Sequence, residues 1–300
     1  PTFFKVGRLK TLFYINGYDC NNQILHENFR NSHKIMDINN IVNGIINDKL
    51  PARKLEEQQK EILKNNKSGI VELVQFSESN LKIIMEGIKN SPKIALIVSD
   101  EDKKNEIMDK FNCDNIFTIT EIKGREFDNI IIYNVLSDNA DIYEEVYSKD
   151  KVNEGHYSYY FNRFYVSITR ANYNLVLIEE KETKLLKEIK SKLGEKLDYV
   201  YNIKTFDDLN LGEINGTSLD LLNIGMNFLY DENFEKARFY LSRSMEDEAK
   251  DYLKACNLIL SHENPDDSKK ASVFLDLKKY KLAQIYLNKI HNYKLAAILY

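Results

Sequence analysis

The stretch Thr118-Ile-Thr-Glu-Ile-Lys-Gly-Arg-Glu-Phe-Asp128 decides the fold that we predict for this chain. Apolar runs at Ile116–Ile119 and Ile130–Asn134 stand on its two sides, and each has the length of a short strand. Gly124 lies between them, and because glycine has no Cβ it allows a tight turn and close approach of the backbone to a ligand. The stretch therefore predicts a strand, a tight turn and a second strand.

Working outward, short apolar runs alternate with helical patterns over the first two thirds of the chain. The predicted strands are Ile70–Phe76, Ile94–Val98, Ile116–Ile119, Ile130–Asn134 and Leu175–Ile178. The predicted helices are one that follows Ser32 and those at Asn80–Lys89, Asp102–Phe111, Tyr159–Arg170 and Thr183–Leu193. Strands of this kind between helices predict an α/β fold with a parallel sheet covered on both faces.

After Gly216 the sequence changes to almost pure helical patterns. An aromatic residue, an alanine and a bulky apolar residue recur three positions apart, in Phe234-x-x-Ala237-x-x-Tyr240, Tyr280-x-x-Ala283-x-x-Tyr286 and Tyr293-x-x-Ala296-x-x-Leu299. A small residue lets two helices approach closely, and this pattern resembles tetratricopeptide-type helical hairpins. An ordinary helical bundle is the alternative. We predict two domains, residues 1–210 and an all-α helical-repeat region at 217–300.

Composition narrows the classes of function. The 300 residues carry a formal charge of −4, so any nucleic-acid contact must be a local patch of Lys and Arg rather than a generally basic surface. Cys20, Cys113 and Cys256 are odd in number, far apart in sequence and without Cys-x-x-Cys spacing, so they indicate neither a disulfide framework nor a zinc site, and no metal site is expected. Because no apolar run has the length of a membrane span and no signal peptide is evident, no membrane association is expected, and the cytoplasm is the expected compartment.

Three segments in this order resemble motifs of superfamily 1 helicases of the UvrD/Rep type. Asn28-Phe-Arg-Asn-Ser32 is similar to motif IV, Lys123-Gly-Arg-Glu-Phe127 to the centre of motif V, and Tyr165-Val-Ser-Ile-Thr-Arg-Ala171 to motif VI. Together they cover about the first two thirds of the chain. The resemblance implies the second RecA-like domain of an ATP-driven nucleic-acid motor, with the P-loop NTPase fold but without its P-loop.

The resemblance also implies roles for individual residues. Arg170 and Arg30 would contact the γ-phosphate, where a guanidinium supplies permanent charge and planar, two-pronged geometry. A surface position at a helix end is the alternative for Arg170. Phe29 stands where the family usually has a tyrosine stacked on adenine, and its ring keeps the face needed for stacking. A core aromatic beneath the following helix is the alternative for Phe29.

In motif V, the resemblance assigns Gly124 and Glu126 to nucleotide binding, with Glu126 near the ribose and γ-phosphate. Thr120 and Lys123 are the candidate nucleic-acid contacts, although the family often has histidine at the position of Thr120. Lys123 either supports the turn or meets a phosphate of the nucleic acid. We expect Phe127 to be a core anchor.

The sequence contains no Gly-x-x-x-x-Gly-Lys-Ser/Thr segment. The expected cofactor is ATP with Mg²⁺, whose metal ligands would come from an N-terminal RecA-like domain of the same protein, and we expect these 300 residues alone to be inactive. The other expected partners are single-stranded nucleic acid, with DNA favoured over RNA, and a protein bound to the helical repeats. The alternative is an interaction scaffold whose RecA-like domain is degenerate.

Overall fold

A computed structural model describes residues 15–16, 27–50, 62–63, 68–89, 91–111, 113, 115–148, 154–212 and 216–298. Contacts divide the chain into two units, which we describe separately. The sheet unit comprises residues up to 89 together with 94–212, and the helical unit comprises residues 90–93 and 213–300.

The sheet unit is built on six strands, and every pairing between them is parallel. Their order across the sheet is β5-β4-β6-β7-β3-β8. Apolar side chains on the inner strands are buried, as expected where helices cover both faces. The predicted parallel α/β fold is confirmed. The strands are β3 (Val71–Gln75), β4 (Ile94–Val98), β5 (Ile116–Thr118), β6 (Phe127–Tyr133), β7 (Ala171–Glu179) and β8 (Asp198–Val200).

The described residues of this unit form six α-helices. Three of them begin at side-chain caps: the Ser77 hydroxyl accepts the Asn80 amide, the Asp100 carboxylate accepts that of Lys103, and the Thr183 hydroxyl accepts that of Leu186. The helices are α1 (His33–Lys49), α2 (Glu78–Ile88), α3 (Glu101–Phe111), α4 (Ala140–Ser148), α5 (Glu154–Ile168) and α6 (Lys184–Leu193). Residues Gly194–Lys196 and Phe206–Leu209 form 3-10 turns.

Several elements differ from the sequence-based expectation. Strand β6 begins three residues before the predicted Ile130, because Phe127 and the polar pair that follows it join the sheet across a register shift. Helix α5 ends at Ile168 rather than Arg170. Helix α4, strand β8 and a separate two-stranded parallel pair were not predicted. That pair consists of β1 (Glu27–Asn28) and β2 (Ile62–Leu63).

The helical unit contains six helices in its described residues, which confirms the all-helical prediction. Its first hairpin packs Phe228 on Tyr240 with ring centroids 5.4 Å apart, and a later one packs Phe274 on Tyr286 at 5.7 Å, with the rings nearly parallel in both. The predicted small residue of each motif is fully buried. The helices are α7 (Ser218–Tyr230), α8 (Phe234–Leu241), α9 (Asp247–Leu260), α10 (Asp267–Asp276), α11 (Tyr280–Lys289) and α12 (Tyr293–Ile298).

The same turn joins three helix pairs in this unit. Each turn holds one residue in the left-handed region, namely Glu232, Lys278 or His291, with φ between 55° and 59°. The residue after it donates its amide to a carbonyl near the end of the preceding helix, which closes the helix terminus. Assignment of these hairpins to the tetratricopeptide type stays a prediction.

Candidate functional site

The segment similar to motif IV is fixed by an asparagine turn. The Asn28 side-chain oxygen accepts the backbone amides of Arg30 and Asn31 at 2.9 and 3.0 Å. The buried Asn31 amide group in turn donates to the Ala171 carbonyl at 2.6 Å. This turn holds Arg30 at the start of strand β7.

Ser32, the residue after Asn31, holds the same segment against β7. The Ser32 hydroxyl donates to the Tyr173 carbonyl at 2.7 Å. A Cβ on Gly69 would lie 2.2 Å from that hydroxyl oxygen and 2.1 Å from that carbonyl, so only glycine fits there. The close approach of three chain segments thus sets the position of Arg30 relative to the sheet.

Arg30 pairs with a carboxylate that is far away in sequence. Its Nη1 lies 2.5 Å from Glu126 Oε1, and its Nη2 donates to the Thr169 carbonyl at 3.2 Å. The two side chains remain 41% and 39% exposed, so the pair is open to solvent and to a ligand. The three segments that resemble motifs IV, V and VI therefore meet at this point.

Arg170 follows the last turn of α5. Its guanidinium donates to the carbonyls of Val166 and Arg125, at 3.3 and 3.4 Å, and to the Thr169 hydroxyl at 3.3 Å. A cation beside the last carbonyls of a helix is electrostatically favourable. These contacts hold the half-buried guanidinium in a defined direction.

The positive charge of Arg30 affects the pKa of Arg170. Burial lowers the pKa of the Arg170 guanidinium, the positive charge of Arg30 lowers it further, and Glu126 opposes both effects. An arginine stays protonated at any physiological pH, so the result is a concentration of positive charge. We call Arg30, Glu126 and Arg170 the arginine cluster. It lies at the amino ends of β6 and β7, and its two cations and one carboxylate leave a net positive charge suited to a polyanion.

The other candidate residues of the segment that resembles motif V lie on a short turn beside the cluster. Gly124 has a φ of +86°, which a residue with a Cβ rarely adopts. Thr120 and Lys123 are exposed, whereas Ile122 is buried. Phe127 is the core anchor that we predicted, with its ring centroid 5.4 Å from that of Phe117.

Phe29 is 61% exposed. The alternative that it forms part of the core is therefore wrong. Its ring, one residue before Arg30, is accessible to a planar ligand, and adenine stacking stays a prediction.

One pair of charged residues in this region was not predicted. Lys104 on α3 is buried, and its Nζ lies 2.7 Å from Glu121 Oε1 in the motif V turn. Thr118-x-x-Glu121 is a capping-box pattern, which was a usable signal in the sequence. No sequence signal points to Lys104, which is one of several lysines on an amphipathic helix.

A groove of about 450 Å³ lies at the opposite ends of the strands, away from the arginine cluster. Tyr199, Tyr201 and Glu180 are among its lining residues, together with the carboxyl ends of β3 and β7. Burial raises the pKa of Glu179 there to about 7, although the Ser137 hydroxyl and amide and the Leu136 amide bind its carboxylate. Because these bonds fix the loop that follows β6, Glu179 has a structural role.

Within the described ranges, no three His, Cys, Asp or Glu side chains are grouped so as to hold a metal ion. The described helices also include none with the length and apolar character required to cross a lipid bilayer. The two guanidiniums of the arginine cluster are donors that suit anionic oxygens rather than a cation.

No protein-family model matches the chain, and neither does any curated protein. Among solved structures, the chain is similar to the C-terminal domain of a possible DNA helicase from Lactobacillus plantarum WCFS1. The TM-score is 0.36 and the sequence identity is 14%, and the match covers 58% of this chain and 99% of that chain. A function for the present chain therefore has to come from its own residues.

Proposed function

We propose that this chain is the second motor domain of an ATP-dependent helicase or translocase that acts on single-stranded nucleic acid, DNA in the first place. In this proposal Arg30 and Arg170 complete an ATP site whose phosphate-binding loop and Mg²⁺ ligands belong to an N-terminal RecA-like domain of the same protein. The observation that carries the proposal is the arginine cluster. Three segments that resemble motifs IV, V and VI meet there, although they are far apart in sequence.

Each residue of the cluster has a distinct task. Arg30 and Arg170 would bind oxygens of the terminal phosphate, where fixed cations stabilise the charge that develops during phosphoryl transfer. Glu126 would accept a hydrogen bond from a ribose hydroxyl, and its negative charge would reduce the repulsion between the two guanidiniums. The exposed ring of Phe29 would stack on the base. ATP, when bound, supplies the phosphoanhydride bond whose hydrolysis drives movement.

The nucleic-acid contacts would come from the neighbouring turn. Thr120 and Lys123 are both exposed, which supports a role in binding phosphates of a single strand. The net charge of −4 makes such a local contact more plausible than a generally basic surface. Thr120, Lys123 and Glu126 belong to the same loop between β5 and β6, so one loop would serve both ligands.

The proposal is tested by Arg170→Ala in the full-length protein. Nucleic-acid-stimulated ATPase should fall by about 10³-fold or more, the range seen when an arginine is removed from related phosphoryl-transfer sites. Arg170→Lys should recover little, because an ammonium keeps the charge but not the two-pronged geometry.

Arg163→Ala is the matched control, since Arg163 lies on α5, the helix that Arg170 follows, and donates to the Ser99 carbonyl and the Tyr159 hydroxyl, away from the arginine cluster. It should keep the rate within a few-fold of wild type. A near-wild-type rate for Arg170→Ala, in a protein with an unchanged circular dichroism spectrum, would remove the assignment. Absence of any ATPase in the full-length protein would instead favour the interaction scaffold.

A further inference from the structure

The turn that carries Thr120, and that Lys123 directly follows, is closed by its own capping pair. The Thr118 hydroxyl accepts the Glu121 amide at 3.2 Å, and Glu121 Oε2 accepts the Thr118 amide at 2.9 Å. The Ile122 amide donates to the Thr118 carbonyl at 3.0 Å, which completes one helical turn. We call residues 118–122 the capped turn. It presents Thr120 outward and buries Ile122.

The second carboxylate oxygen of Glu121 ties the capped turn to helix α3. Lys104 Nζ lies 2.7 Å from Glu121 Oε1 and 3.3 Å from Glu101 Oε2. The Lys104 side chain is only 11% exposed and that of Glu121 25%, so solvent screens this pair less than it screens a surface pair. A charge-assisted hydrogen bond in such a setting fixes geometry as well as contributing energy.

Glu121 is also connected to the arginine cluster, through Arg125. Arg125 Nε donates to the Glu121 carbonyl at 3.3 Å, and the Arg125 carbonyl accepts Arg170 Nη1 at 3.4 Å. Glu126, which pairs with Arg30, follows Arg125 directly in the chain. Glu121 thus stands at the junction of three contacts, to α3, to the exposed turn and to the cluster.

We propose that Lys104 and Glu121 are positioning residues that hold the capped turn in register with the arginine cluster. The inference rests on the proposed function. With the pair intact, a strand bound at Thr120 and Lys123 acts on a turn that is rigidly connected to Arg125 and Arg170. Without it, the turn keeps its local cap but loses its anchor, so binding of nucleic acid no longer sets the arginines for phosphoryl transfer.

The experiment compares ATPase of the full-length protein with and without single-stranded DNA. Lys104→Met keeps the length of the buried side chain and removes its charge. The ratio of stimulated to basal kcat should fall about tenfold, within the usual range of coupling between sites, while basal kcat stays unchanged. Lys110→Met is the matched control, because Lys110 lies on the same helix and forms an exposed pair with Glu78, remote from the turn. Its ratio should equal that of wild type.

Conservative variants separate positioning from general destabilisation. Lys104→Arg keeps a cation near Glu121 and should retain most of the ratio. In Glu121→Gln the side-chain oxygen can still accept a hydrogen bond from the Thr118 amide, but the side chain can no longer form an ion pair with Lys104. This variant should therefore lower the ratio as Lys104→Met does. The double variant should be no worse than either single one, because both remove the same contact. If Lys104→Met does not fold, the comparison of Glu121→Gln with wild type decides.

The outcomes distinguish the two proposals. A wild-type full-length protein whose ATPase does not respond to nucleic acid overturns the proposed function, and this inference with it. A wild-type protein that responds, together with unchanged ratios in Lys104→Met and Glu121→Gln, overturns the inference alone. A lowered ratio in the charge-removing variants, retained in Lys104→Arg and Lys110→Met, supports it.

Discussion

Replacing Glu72 by glutamine should stabilise the sheet unit above neutral pH and leave its stability nearly unchanged near pH 4. Glu72 lies on β3 between β7 and β8 and is only 3% exposed. Burial raises the pKa of its carboxyl from 4.5 to about 7. A hydrogen bond with Asn210 lowers the pKa, the charge of Asp198 raises it and that of Lys34 lowers it.

The sign and size of the effect follow from the two pKa values. Below pH 4.5 the carboxyl is protonated in both the folded and the unfolded chain, so it does not affect the free energy of unfolding. As the pH rises, ionisation favours the unfolded chain by about 1.4 kcal/mol per pH unit, until the folded carboxyl also ionises near pH 7. The full cost, about 3 kcal/mol, is therefore present above pH 7, and glutamine removes it.

The assay is urea unfolding of wild type and Glu72→Gln at several pH values between 4 and 8, followed by far-ultraviolet circular dichroism. The difference in unfolding free energy should grow from near zero to about 3 kcal/mol across this range. Glu86→Gln removes an exposed carboxylate from helix α2 and should show no such trend. A pH-independent difference for Glu72→Gln would refute the reasoning, because it would mean that Glu72 has the same pKa in both states.

Two further predictions concern an exposed ring and a turn. Phe29→Ala should leave the melting temperature unchanged, because the ring is exposed, but should raise the KM for ATP of the full-length protein about tenfold through lost stacking. Phe29→Tyr should retain the wild-type KM, and an unaltered KM in Phe29→Ala would exclude a stacking role. Lys278→Gly should stabilise the helical unit by about 0.5–1 kcal/mol, because the residue has a φ of 55° and a side chain is unfavourable there. Chemical unfolding measures this change, and a loss of stability would show that the lysine side chain makes a contact worth more than the backbone strain.

The sequence predicted best where burial makes the pattern simple. Strand β4 is a continuous apolar run and is buried along its whole length, so its bounds matched the prediction. Strand β8 is three residues long and largely exposed, and it joins the sheet by pairing with β3. Its position depends on tertiary pairing, which no local pattern encodes.

The candidate site also contains residues that the sequence predicted and contacts that it did not. Motif residues such as Arg30 and Arg170 could be identified because spacing within each segment is a local property. The pairing of Arg30 with Glu126 could not, since it depends on how the loop before β6 meets the segment before α1. Lys104 was missed for the same reason. Its burial depends on a neighbour that only the folded chain brings to α3.

The groove and the arginine cluster share strand β7 but occupy its two ends. The cluster adjoins Ala171 and the groove includes Glu179, so the nine-residue strand separates them by about 26 Å. A small molecule lodged in the groove would leave both guanidiniums sterically accessible. Screening of compounds by displacement of a labelled nucleotide would therefore overlook every compound that binds there, whereas a screen by thermal shift would detect them.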